Sequence, residues 1–157
     1  MLFAGPELFC EKETMKARTA TVGDLETVFR SLSDRLSEEY VAAGLGMQAV
    51  HDSLTMDLKE GRAHSLIEGD DAVAIIAWHE SDDVAHTVFA AKDTFFSAST
   101  VRFCKRHIRQ IQALTGNLPF QHESWLVRPD AAKWFRIIGF VEKDRQPEYT
   151  LFELPPA

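Results

Sequence analysis

The stretch that decides the fold is PDAAKWFRIIGFVEKD, Pro129–Asp144. Its apolar residues first recur at helical spacing, Gly139 then stops the helix, and Phe140 opens an alternating run. A short helix over Ala131–Ile138 therefore hands the chain directly to a strand. GFVEKD and EYTLFEL read as the last hairpin, turning around Gln146-Pro147.

Working back from there, ESWLVR reads as a strand, and Ser97–Leu114 as a helix with Val101, Cys104, Ile108, Ile111 and Leu114 inward and Gly116-Asn117 closing it. The runs AHSLIEG, AVAIIAWHES and VAHTVFAAK are rich in β-formers, and Asp70-Asp71 and Asp82-Asp83 divide them into three antiparallel strands. A helix over Met47–Lys59 precedes them. Ahead of it, one long helix runs from Asp24 through Leu25, Val28, Leu32, Leu36 and Tyr40 to Gly44 and Gly46. Thr21-x-x-Asp24 has the spacing of a capping box at its start. MKARTAT is a short extended opening. The order is strand, two helices, three strands, helix, strand, helix, two strands. The passage through Ser97–Leu114 needs a parallel neighbour, so this is an α/β or α+β chain with one mixed sheet.

The bulk properties limit what such a domain does. At 157 residues and 45% hydrophobic it suits a single domain, and its formal charge of −7 argues against a duplex-DNA binder that relies on neutralising phosphates. Cys10 and Cys104 are too few and too far apart for a disulfide framework or a metal pair, so free thiols in a reducing compartment are expected. The N-terminal residues lack the charge and apolar run of a signal peptide, and no apolar run reaches transmembrane length, so a soluble protein made in a cytoplasm is expected. His51, His64 and His122 have no partners at ligand spacing, and no metal is expected. No G-x-S-x-G elbow is present. Trp78, Trp125 and Trp134 fall on inward faces and read as core.

The order of elements, the opening ARTATVGDLETVF and above all AAKWFRIIGFVEKD resemble the GNAT N-acetyltransferase family over about Lys16–Leu154. Within that family the close and the basic helix before the fifth strand look like the acetyltransferase-like internal virion proteins of short-tailed phages. The resemblance implies a mixed sheet of about seven strands flanked by four helices in a domain of residues 16–157, behind an arm of residues 1–15.

The resemblance also makes chemical demands. Family members hold the pyrophosphate of acetyl-CoA in a glycine-containing loop that leads into the helix after the fourth strand. The matching segment AAKDTFFSASTVRF has no glycine, and Phe95 and Phe96 are bulky there. Ser97, Ser99 and Thr100 are the residues left to meet an anion, with plain helix capping as the competing reading. A tyrosine that protonates the departing thiolate is replaced by Phe135, and Arg128 stands at the usual asparagine position. Glu68, His79, Glu80 and His86 lie on or beside central strands and are candidates for a general base, against the reading that they are solvated strand residues.

Two further features invite partners. Arg102, Lys105, Arg106 and Arg109 form a cationic stripe flanked by His107, fit for an acidic partner or phosphates, or else simply a solvated helix face. Leu2, Phe3, Leu8 and Phe9 make the arm apolar. With these departures, the sequence points to a phage virion or assembly protein that keeps the fold as an interaction surface. Its expected partners are other virion proteins or a second copy, with no cofactor, no membrane and no specific nucleic acid, and its place is a host cytoplasm or the particle. The alternative is an acetyl-CoA-dependent N-acetyltransferase acting on an amine.

Overall fold

The computed structural model describes residues 15–125 and 129–157. The arm's apolar residues, Cys10 and Arg128 lie outside them. The seven strands are β1 (Met15–Thr19), β2 (Ala63–Glu68), β3 (Asp71–Ser81), β4 (Val84–Ala91), β5 (Phe120–Ser124), β6 (Val141–Arg145) and β7 (Thr150–Leu154). They form one sheet in the order β1-β2-β3-β4-β5-β7-β6. Every neighbouring pair is antiparallel except β4 and β5. The helices are α1 (Val22–Arg30), α2 (Asp34–Ala42), α3 (Met47–Lys59), α4 (Ala98–Leu114) and α5 (Pro129–Ile137), with a short 3₁₀ turn at Asp93–Phe96. This is the expected mixed α+β architecture, with five helices in place of four.

The extra helix arises because the expected helix from Asp24 to Tyr40 breaks at Ser31–Ser33. Leu32 bridges to Lys92, the Ser33 N–H donates to the Ala91 carbonyl at 2.8 Å, and the Ser33 hydroxyl caps α2 by accepting from the Arg35 amide. Apolar spacing runs unbroken through the break, because both helices bury the same side against the sheet. Thr21 and Asp24 do form the capping box of α1.

β3 is covered on both faces. Ile75 and Ile76 point to opposite sides and both are fully buried, which explains the unbroken run AVAIIAW. On one face Ile75, Ala77 and Ala90 pack with Leu25, Val28, Tyr40 and Leu54 of α1–α3. On the other, Ile76, Trp78 and Phe89 pack with Ile108, Ile111, Phe135 and Phe152. The β3–β4 turn places Asp82 and Asp83 at φ 54° and 63°, the paired positive angles of a tight hairpin that aspartate tolerates. The preceding turn falls on Gly69-Asp70.

Two expectations at the far end shift. The fifth strand begins at Phe120, earlier than ESWLVR suggested, because fully buried Phe120 locks between Ala85 and Leu154. Leu114 is 68% exposed, since the last turn of α4 projects past the sheet before the chain reverses at Gly116 and Asn117.

Candidate functional site

β4 and β5 stay paired over only two steps, Ala85↔Phe120 and His86↔Gln121. Past them the edge of β4 is taken by other groups: the Thr87 carbonyl meets His122 Nδ1 at 3.1 Å, the Phe89 carbonyl accepts from the Tyr40 hydroxyl at 2.5 Å, and the Ala91 carbonyl accepts from Ser33. The strands part, and a cavity of about 450 Å³ opens between them and α2. Its walls are largely aromatic, with Tyr40, Phe89, Phe96, Trp134 and Phe135 around it, and His79, His86, His122, Glu39 and Glu123 supply polar atoms. On an extended strand the N–H and C=O of one residue point to the same edge. The Phe89 N–H therefore looks toward the gap alongside its carbonyl.

His122 was passed over in the sequence because nothing nearby marked it. Desolvation pushes its pKa down to about 4, only partly offset by the bond to the Thr87 carbonyl. Taken as a donor to that carbonyl, Nδ1 carries the proton and Nε2 is left as an acceptor. The Phe135 ring packs on the imidazole at 4.6 Å and stacks on Phe152 at 4.9 Å. Phe135 is buried at the cavity wall, and its phenyl has no proton to give.

Of the four candidate bases, the cavity takes in His79 and His86, whose rings stack at 5.3 Å. Glu80 is exposed on the opposite side of β3, and Glu68 is exposed opposite Met15 at the far end of the sheet. Neither lines the cavity. Trp134 and Trp125 are half-buried and also line it, whereas Trp78 is core, so the reading of all three as core holds for one. The indole Nε1 of Trp134 is buried with no partner among the described residues.

Ser97 caps α4, its hydroxyl accepting from the Thr100 amide and donating to Thr100 Oγ1. Thr100 is fully buried, so of the three proposed cofactor contacts Ser97 and Ser99 are open to solvent. No residue from Ala90 to Phe103 has a positive φ, so the route taken through the 3₁₀ turn requires no glycine. Phe95 is sunk in the core, and Phe96 is half-buried with the Arg35 guanidinium 4.4 Å over its ring.

The cationic stripe is shorter than its spacing suggested. Arg102, Lys105 and Arg106 are exposed, and Arg106 lies over Phe103. Arg109 instead donates to the Pro155 carbonyl and Gln112 at 2.7 Å each, tying α4 to the end of β7. His107 turns inward, bonded to His64 at 2.9 Å, and burial pushes its pKa down to about 4. His51 meets Glu26 at 3.0 Å. Among the described residues no three metal-ligating side chains converge. Cys104 is buried, its thiol pushed up to about 12.

No family model matches the chain, and no curated protein matches its sequence. Solved structures do match. PaiA N-acetyltransferase of Thermoplasma acidophilum, in complex with coenzyme A, superposes with a TM-score of 0.68 at 12% identity, over 91% of this chain and 99% of that one. The GNAT domain of S. lividans PAT gives 0.66 at 16% identity, over 88% and 89%. YncA of Salmonella typhimurium, with its cofactor acetyl-CoA, gives 0.62 at 8% identity, over 90% and 94%. At such identities the likeness speaks to the fold.

Proposed function

Starting from a chain with the GNAT acetyltransferase fold, we propose that it transfers an acetyl group from acetyl-CoA to an amine. The observation that carries this reading is the cavity where β4 and β5 part, with a backbone donor and three imidazoles, His79, His86 and His122, on its wall.

The residues present fit an acyl thioester carried on a long arm. The β4 edge offers the Phe89 N–H, the aromatic walls suit an apolar chain, and the solvent-open start of the 17-residue α4 presents amides to a phosphate. Acetyl-CoA supplies an activated acyl group. The chain's own part is to hold a carbonyl oxygen near the Phe89 N–H, to exclude water with Phe96 and Trp134, and to remove the proton that keeps an amine cationic at neutral pH. His86 and His79 are placed for the last task. His122 is the weaker base, because a pKa near 4 leaves little affinity for a proton at pH 7. Phe135 supplies no proton, so protonation at that end falls to water or the imidazoles.

A second reading, a virion or assembly protein acting through its surface, is favoured by Phe135 and by the exposed Arg102, Lys105 and Arg106. Its partners would be other assembly proteins or a second copy of the chain. Calorimetric titration with acetyl-CoA separates the two. Micromolar binding that free CoA competes away supports the transferase, and no heat at millimolar ligand removes it in favour of the assembly role.

A further inference from the structure

The cavity runs through the gap in the sheet, so it has two sides. Side chains alternate along a strand. Phe89 shares the face of Phe95, Phe96, Trp134 and Phe135, which leads through Ser97 into the start of α4. The other face carries Tyr40 of α2 and Val50 of α3, with Ala77 on β3 and Val88 on β4. By the same alternation His79 and Ser81 fall on the side of Ala77, and His86 on that of Val88. Glu123 lies opposite to His122, which packs on Phe135. The start of α4 is where a phosphate would meet amides, so the first face takes the thioester arm and the second is left for the acceptor.

That second face is closed by α2, which spans the parted strands. The Tyr40 hydroxyl ties it to the Phe89 carbonyl of β4, and the Glu39 carboxylate accepts from the Trp125 N–H, just past β5, at 2.8 Å. The Trp125 ring is backed by Tyr149 at 4.8 Å. Half-exposed Leu45 and buried Val50 continue the apolar wall. Two carboxylates, Glu39 and the exposed Glu123, stand beside it. Among the described residues of the wall, Arg35 brings the one guanidinium, and this lies over Phe96 on the other face. The acceptor side is therefore an apolar wall with a negative edge.

We infer that the acceptor is a primary monoamine on an aromatic or branched apolar body, its ammonium drawn by Glu39 and Glu123 and its body received by Trp125, Leu45 and Val50. The inference rests on the transferase reading and names its substrate class. A polyamine would set a second ammonium against Leu45 and Val50, where an unpaired charge is costly. An amino sugar would bring hydroxyls that find few partners there, chiefly Ser81 and Gln121. An amino acid would set its carboxylate against the two glutamates. On transfer the ammonium sheds two protons to water or a cavity imidazole, one before and one after the C–N bond forms. The thioester C–S bond breaks, and the thiolate takes one of those protons back.

The test compares 2-phenylethylamine, spermidine, glucosamine and phenylalanine as acceptors with acetyl-CoA. It also follows their binding to the protein, free and with CoA, through the indole N–H signal of Trp125 in NMR. 2-Phenylethylamine is expected to show a kcat/KM at least about tenfold above the others and to shift the Trp125 signal. Glu39→Gln keeps an oxygen for the Trp125 N–H; combined with Glu123→Gln it is expected to raise the KM for 2-phenylethylamine about tenfold with little change in kcat. Preference for spermidine, glucosamine or phenylalanine overturns the inference, as does an unchanged KM in the double variant. Should the double variant not fold, Glu123→Gln alone carries the charge test, and no rise in KM overturns it. Acetyl transfer to another amine, without a Trp125 shift from 2-phenylethylamine, leaves the transferase reading standing and the acceptor class overturned. No heat with acetyl-CoA removes the transferase reading itself. The Trp125 signal of the free protein then decides whether the cavity takes an apolar amine: a shift supports that recognition and no shift overturns it.

Discussion

At the scale of single residues, the decisive positions are those where one atom changes the outcome. Gly139 ends α5 at φ 109°, and a Cβ there would stand 3.1 Å from Leu154 Cδ1. Gly139→Ala therefore combines backbone strain with a contact, and we expect a loss of about 1–3 kcal/mol in urea unfolding. Phe135 differs from tyrosine by one oxygen. If protonation at the cavity wall limits the rate, Phe135→Tyr is expected to raise kcat by about tenfold or more while leaving the acetyl-CoA dissociation constant unchanged. An unchanged kcat would show that no acid is missing there. The sequence marked both residues, because glycine and phenylalanine carry their constraint in their identity. Glu39 and His122 were not legible as site residues. A glutamate on a helix and a histidine in a strand become informative only when a sheet and a second element close over them.

At the scale of elements, periodicity located most of the fold and missed its breaks. α3 has the expected bounds, and α4 differs by its cap alone. The split between α1 and α2 was invisible because the residues that make it, Leu32 and Ser33, are satisfied by β4, some sixty residues later. That split matters for the site, since it lets α2 approach β4 and bring Tyr40 to the Phe89 carbonyl. Ser33 is fully buried and caps α2. Ser33→Ala is expected to cost about 1 kcal/mol by thermal or urea unfolding, within the range for a lost cap. Arg109 makes the opposite point. Its spacing placed it in the cationic stripe, but the end of β7 offers it a carbonyl, and the tertiary contact wins.

At the scale of the whole molecule, burial sets a pH dependence. His64, His107 and His122 are all held below their ordinary pKa by desolvation. The unfolded chain therefore takes up protons first as pH falls, so these groups leave stability intact above about 6.5 and draw it down as pH drops toward 4. Asp57, held above its ordinary value, acts in the other sense, regaining stability as its carboxyl protonates. With three imidazoles against one carboxyl, urea melts are expected to show a net loss on the order of a couple of kcal/mol between pH 7.5 and pH 5. Replacing His107 with Gln is expected to flatten that slope. The amino-acid sequence by itself determined the order of the strands and of the helices from α3 onward, the mixed sheet and the missing glycine and phenol, because these follow from local spacing and residue identity. Only the tertiary structure decided where β4 and β5 part, which histidines share the cavity, and which cations remain free. Those outcomes depend on hydrogen-bond partners and buried neighbours drawn from distant segments, and no local pattern records them.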